Sequence, residues 1–255
     1  MSRAGPRISS YDYDTFSVQV GLDGQFSLGE RQFYWDVMAQ RNDGQYDTRG
    51  ENFVNLLNLR NAVGQSGYDA ASGNLYCGAS YATRINGCVP FNIFGGPTLG
   101  LGAPIPGAPA GRVITQADIE AMLNYVTYDL VETAGNTLTN YTLNLSGDLF
   151  ELPAGYITFA TGYEFRKDDA FNQPDGLVAG GGSSTNFTQP TKGSTEVSEY
   201  YLELIAPLLK DLPFAKELEL RAAARKSDYK ASGFVGNTFT ESEPGSPTNT
   251  NFSIK

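Results

Sequence analysis

The chain has no histidine. That absence removes Ser-His-Asp and Cys-His catalysis, His-ligated zinc and a histidine proton switch together. Catalysis by two carboxylates survives as a route, but no Asp or Glu pair is marked out for it, and we expect no enzyme here. Cysteine is limited to two residues, too few without histidine to complete a zinc shell. Charge is thin, at 18% of residues, and basic charge thinner, with 18 Lys and Arg against 28 Asp and Glu. A net charge of −10 excludes a nucleic-acid partner, which needs clustered Lys and Arg. No run approaches ~18 apolar residues, so no transmembrane helix is expected. The opening Met-Ser-Arg-Ala-Gly-Pro-Arg lacks the apolar stretch of a signal peptide.

What is abundant points to β-structure: 29 glycines, 15 tyrosines and 15 phenylalanines suit turns and strands. From Thr15, Phe16, Val18, Val20 and Leu22 alternate with Ser17, Gln19, Gly21 and Asp23, a period of two that marks a strand with unlike faces. After a break at 27–31 the pattern resumes with Phe33, Trp35, Val37 and Ala39. It returns near 137–149 (Tyr141, Leu143, Leu145, Leu149), near 156–167 (Ile157, Phe159, Tyr163, Phe165), and over about 195–206 and 217–229. Asn251–Lys255 reads as the start of a seventh strand. At about 11–14 residues each, these strands exceed the globular norm and match tilted membrane-spanning strands.

The connections alternate in length. Short ones fall near 27–31, 150–155 and 207–216, and long ones at about 43–136, 168–194 and 230–250. Outer-membrane barrels show this asymmetry, with tight periplasmic turns and large extracellular loops. Tyr11, Tyr13, Phe33, Tyr34, Phe150 and Tyr156 fall where strand ends would carry an interfacial aromatic girdle. Across 207–216, a hairpin pairing Leu204 with Leu220, Leu202 with Ala222, Glu203 with Arg221 and Glu199 with Arg225 would satisfy both faces. In the first long loop, Thr115-Gln-Ala-Asp118 reads as a capping box. Ile119, Met122, Leu123, Val126 and Leu130 follow at helical spacing.

Cys77 and Cys88 lie in that same loop. In an oxidising compartment they would form a disulfide, and in a reducing one two buried thiols. Asp168, Asp169, Asn172 and Asp175 cluster in the second long loop without EF-hand spacing, so a solvated acidic loop is expected and no metal. The Gly- and Pro-rich 95–111 fits no phosphate-binding motif, and no cofactor is expected.

Gly87-Cys-Val-Pro-Phe-Asn-Ile-Phe-Gly-Gly96 resembles the disulfide-closed extracellular loop of TonB-dependent outer-membrane receptors. Gly147-Asp-Leu-Phe-Glu-Leu-Pro-Ala-Gly155, Pro174-Asp-Gly-Leu177 and Pro207-Leu-Leu-Lys-Asp-Leu-Pro-Phe-Ala215 are similar to that family in the same order. The likeness runs over nearly the whole chain and points to a Gram-negative branch. The resemblance implies an all-β fold over 1–255: part of a transmembrane antiparallel β-barrel, with six long strands plus the start of a seventh and long extracellular loops. One of those loops would hold a short helix. With no plug and no TonB box in the sequence, the chain reads as an internal fragment of the barrel. The implied function is TonB-dependent active uptake of a nutrient (siderophore, cobalamin or oligosaccharide) across the outer membrane. The implied partners are outer-membrane lipid, the remainder of the barrel and plug, the TonB complex through the missing N-terminal part, and a small nutrient ligand. For ligand contact the candidates are exposed loop aromatics and charges: Tyr68, Tyr76, Tyr81, Arg84, Asp168, Asp169 and Asp175. The rival readings are a soluble β-rich carbohydrate-binding or carbohydrate-active protein and a surface adhesin. In either, the apolar strand faces would meet one another instead of forming an outward band.

Overall fold

Alternating apolar and polar side chains make strands here because each residue type then keeps to one side of the pleat. A computed structural model describes residues 5–255; the leaderless reading of the N-terminus rests partly on residues 1–4, which lie outside it. Six long strands form one sheet: β1 (Ile8–Leu28), β2 (Arg31–Val54), β5 (Thr127–Leu152), β6 (Gly155–Gln173), β7 (Thr191–Leu212) and β8 (Ala215–Val235). They lie in sequence order, followed at the edge by β9 (Thr238–Gly245) and β10 (Thr248–Ile254), both paired with β8. The fold is all-β and antiparallel, as expected. Constant register links β2 to β5 through Asp47 with Thr133, Asp43 with Thr137, Asp36 with Asn144, and the Gln32 amide with Asp148.

Five expectations need correction. The six strands run 19 to 26 residues, well beyond 11–14. Alternation ends where both faces turn polar, as at Arg41–Arg49 and Lys167–Asn172, but pairing continues. The connections therefore shrink to 55–126 and 174–190. The third long loop, 230–250, does not exist. β8 continues to Val235, turns at Gly236-Asn237, and is paired first by β9 and then by β10. Pro247 lacks an amide hydrogen and interrupts that seventh strand, while its carbonyl accepts from the Ser227 amide.

The β7–β8 register also differs. Leu204 faces Ala222, Leu202 faces Ala224, Glu203 faces Ala223 and Glu199 faces Ser227. The turn is only Pro213-Phe214, and a bulge between Pro207 and Leu209 shifts the pairing. The offset of two leaves every side chain on its expected face. Lastly, Tyr11 and Tyr13 sit near the start of β1, far along the strand from the turn after Leu28.

The chain divides into two compact units. The first holds Tyr13–Gln45, Ala134–Asn172 and Thr191–Lys255, all of it sheet and turns. Among its described residues only Phe33 and Val197 are buried apolar side chains. One face instead presents apolar groups to the outside, with Val20 at 64% exposure, Leu143 at 50%, Leu202 at 44% and Phe252 at 78%. No second layer of this unit covers that face.

The second unit, which includes Tyr46–Thr133 and Gln173–Pro190, has the opposite character. Leu99, Ile105, Ile114, Ile119 and Met122 form its core. α1 (Leu56–Ala62) is capped by Asn55, β3 (Ser66–Asp69) pairs β4 (Asn74–Cys77), and α2 (Gln116–Val126) supplies Ile119 and Met122. The capping box forms as expected, with Thr115 and Asp118 exchanging bonds. Helical spacing over-reached at one residue, because Leu130 is buried from β5 and not from α2.

Candidate functional site

The second unit gathers three of the expected contact residues. Asp69 accepts from the Ser72 amide at 2.9 Å and hydroxyl at 2.6 Å, bonds that hold its carboxyl below the usual carboxylate range. That turn, with Gly73 in the left-handed region at φ 74°, closes the β3–β4 hairpin. The hairpin lays the Tyr76 ring across Gly67, where a Cβ would come within 2.6 Å of the phenol oxygen. Cys77 and Cys88 form a disulfide. It draws the intervening loop back so that Tyr81 meets Tyr76 edge-on at 5.7 Å. The Arg84 guanidinium lies 4.1 Å from the Tyr81 ring centroid, and its Nη1 donates to the Tyr81 carbonyl at 2.8 Å.

Tyr76, Tyr81 and Arg84 thus make a ring platform with an exposed cation stacked on it. Such a platform can accept a planar or sugar ring on its faces and an anionic or hydroxyl group at its guanidinium. The same unit holds a mostly apolar cavity of about 330 Å³ lined by Val63, Phe91, Ile93, Phe94, Ile105 and Met122, among others. Phe94 stands at its rim, 93% exposed.

The other expected residues do not join this platform. Tyr68 packs against the apolar core. Asp168 and Asp169 are consecutive residues of β6, not loop residues, so they point to opposite sheet faces and cannot share a ligand. Asp168 lies 3.7 Å from Arg166 and Asp169 lies 3.9 Å from Lys167. Asp175 caps α3 (Gly176–Ala179), accepting from the Leu177 amide at 2.8 Å and the Val131 amide at 3.3 Å.

Of a polar network on the sheet unit, only the Glu199–Arg225 pair was expected, and it forms although Glu199 faces Ser227 in the register. Asp36 accepts from Asn144 at 2.8 Å, and Asn144 in turn accepts from the Tyr201 hydroxyl at 2.8 Å. Next to it, Glu199, 8% exposed, accepts from Arg225 and from the Ser227 hydroxyl. Arg225 also lies 3.8 Å from Glu164, the residue facing Glu199 across the strands. All these residues occupy the face opposite the apolar one. The signal for the others was present in the polar half of each alternation, but joining Asp36, Asn144 and Tyr201 across three strands required the register.

No family model, no curated protein and no solved structure matches this chain.

Proposed function

We propose that the chain is part of an outer-membrane β-barrel of the TonB-dependent receptor kind, serving uptake of a scarce nutrient. One observation carries this reading: a seven-strand antiparallel meander whose apolar face is exposed while its polar face is cross-linked by hydrogen bonds. In water such a face would be a liability, because soluble monomers rarely expose large contiguous apolar patches. In a bilayer it is the face that meets lipid, and the ion-paired face turns toward an aqueous lumen. Two-residue turns at Gly29-Glu30, Pro153-Ala154 and Pro213-Phe214 fit the periplasmic side. The sheet's edge strands must pair with further strands to be stable in hydrocarbon. The Tyr76–Tyr81–Arg84 platform supplies a nutrient-contacting surface in the disulfide-closed connection.

The test is genetic. Disrupting the coding gene in its source bacterium, then supplying one limiting nutrient at a time from ferric siderophores, cobalamin and oligosaccharides, should abolish growth on one of them. Loss of TonB should reproduce the defect. Growth indistinguishable from the parent on the whole panel would remove the transport assignment.

A further inference from the structure

On the uptake reading just given, we propose that the Tyr76–Tyr81–Arg84 platform binds an uncharged oligosaccharide. Register fixes which side of the β3–β4 hairpin is available. Tyr68 faces Leu75, and both pack on the apolar core, while Cys77, facing Ser66, is fully buried. Gly67 with Tyr76, and Asp69 with Asn74, therefore occupy the opposite face. The Cys77–Cys88 disulfide returns the chain so that Tyr81 and Arg84 join that outward face at Tyr76. Two phenol rings, a carboxylate, a carboxamide and a guanidinium thus share one surface.

Charge decides between the ligand classes. From Asn61 to Gly111 the chain carries only two charged residues, Asp69 and Arg84. The Ser72 bonds lower the Asp69 carboxyl first, and the nearby positive charge of Arg84 adds to them. The next charge along the chain, Arg112, is held by Asp118 at 2.8 Å. The platform therefore has no surplus of positive charge with which to draw in an anionic iron chelate or a phosphate. Its hydrogen-bonding capacity is unspent in both directions. Arg84 makes no ion pair among the described residues, and beyond the Tyr81 carbonyl its guanidinium donors remain open. Both Ser72 bonds end on Asp69 Oδ2, which leaves Oδ1 able to accept. Asn74 is exposed and brings an acceptor and two donors. Hydroxyl groups donate and accept, so a sugar satisfies all three residues while its C–H face lies on a tyrosine ring. A purely apolar ring would strip water from the guanidinium and the carboxylate and return nothing.

The experiment is isothermal titration calorimetry on the barrel in which further strands close this chain's edges, in a detergent without a sugar headgroup. The titrants are maltohexaose, cellohexaose, mannohexaose and xylohexaose, with a ferric tris-catecholate and cyanocobalamin representing the other nutrient classes. One hexasaccharide should bind, with an affinity unchanged between about 50 and about 500 mM sodium chloride. Arg84→Gln and Tyr81→Ala should each weaken that binding about tenfold, through loss of charge-assisted hydrogen bonds or of the ring. Tyr81→Phe keeps the ring and should retain the binding. Resistance of Cys77 and Cys88 to thiol alkylation in each variant shows that the loop still closes. Binding of the catecholate or of cyanocobalamin, with none of the sugars, overturns this inference and leaves the uptake reading standing. Sugar binding that falls with salt, or that Arg84→Gln and Tyr81→Ala retain in full, overturns the platform as its site. No binding from any of the three classes overturns the uptake reading as well.

Discussion

Leu202 and Glu203 are neighbours on β7 whose side chains leave opposite faces of the sheet, and they separate the membrane reading from a soluble one. Leu202 is 44% exposed and lies between Thr161 and Ala224, one row inside Tyr200. In a soluble protein, arginine at a surface leucine changes stability by about 0.5 kcal/mol or less. Facing hydrocarbon, it costs ~2–4 kcal/mol at the midplane and less toward the interface. One row from the tyrosines, Leu202→Arg should cost ~2 kcal/mol, a loss of about thirtyfold in the folded-to-unfolded ratio. Glu203 makes no ion pair among the described residues, so Glu203→Gln should stay within ~0.5 kcal/mol. Urea titration in short-chain phosphatidylcholine vesicles of the barrel in which further strands close this chain's edges, with Trp35 the one tryptophan kept, reads both variants by fluorescence. If Leu202→Arg shifts the midpoint no more than Glu203→Gln, the exposed apolar face does not meet lipid and the argument fails.

Three further outcomes follow from the loop-rich unit. Thr115→Ala removes the hydroxyl that accepts from the Asp118 amide at the α2 N-terminus; hydrogen exchange should show that helix opening more readily by about 1 kcal/mol. Reducing Cys77–Cys88, eleven residues apart, should destabilise the unit by about 3 kcal/mol on the loop-entropy account. Limited proteolysis should then cut between residues 77 and 88, and protection unchanged by reductant would refute this. Arg112, followed by Thr115, holds the Asp118 carboxyl far below the usual carboxylate range. A depressed folded pKa means stability fully present above the unfolded value and lost as pH falls, so this unit should weaken progressively below about pH 4. Asp118→Asn should flatten that acid dependence.

Much of the sheet was readable because alternation is enforced wherever the two faces meet different surroundings. Phe16–Leu22, Tyr141–Leu149 and Ile157–Phe165 each announce a strand. The outer strand ends were invisible because Arg41, Asp43, Lys167 and Asp169 lie on the same face as the apolar residues and break the period. Gly236-Asn237 is itself a hairpin signal and could have revealed that β8 turns back upon itself. The β7–β8 register was missed for a local reason: the two-residue turn and the bulge between Pro207 and Leu209 shift the pairing by two, which leaves the alternation on each face unchanged. Of the candidate site, Tyr76, Tyr81 and Arg84 come together because the disulfide and hairpin fold their loop, whereas sequence proximity misled for Asp168 and Asp169, which a strand sends apart.

The depth of Trp35 tests the central claim most directly. It is the only tryptophan, it belongs to the apolar face of β2, and its ring lies over Gly24. With this chain's edges closed by the further strands of the barrel and Trp35 the one tryptophan kept, its fluorescence in bilayers of phosphatidylcholine brominated along the acyl chains should be strongly quenched, while aqueous iodide should have little effect. Quenching by iodide with indifference to bromine would place the face in water and contradict the account.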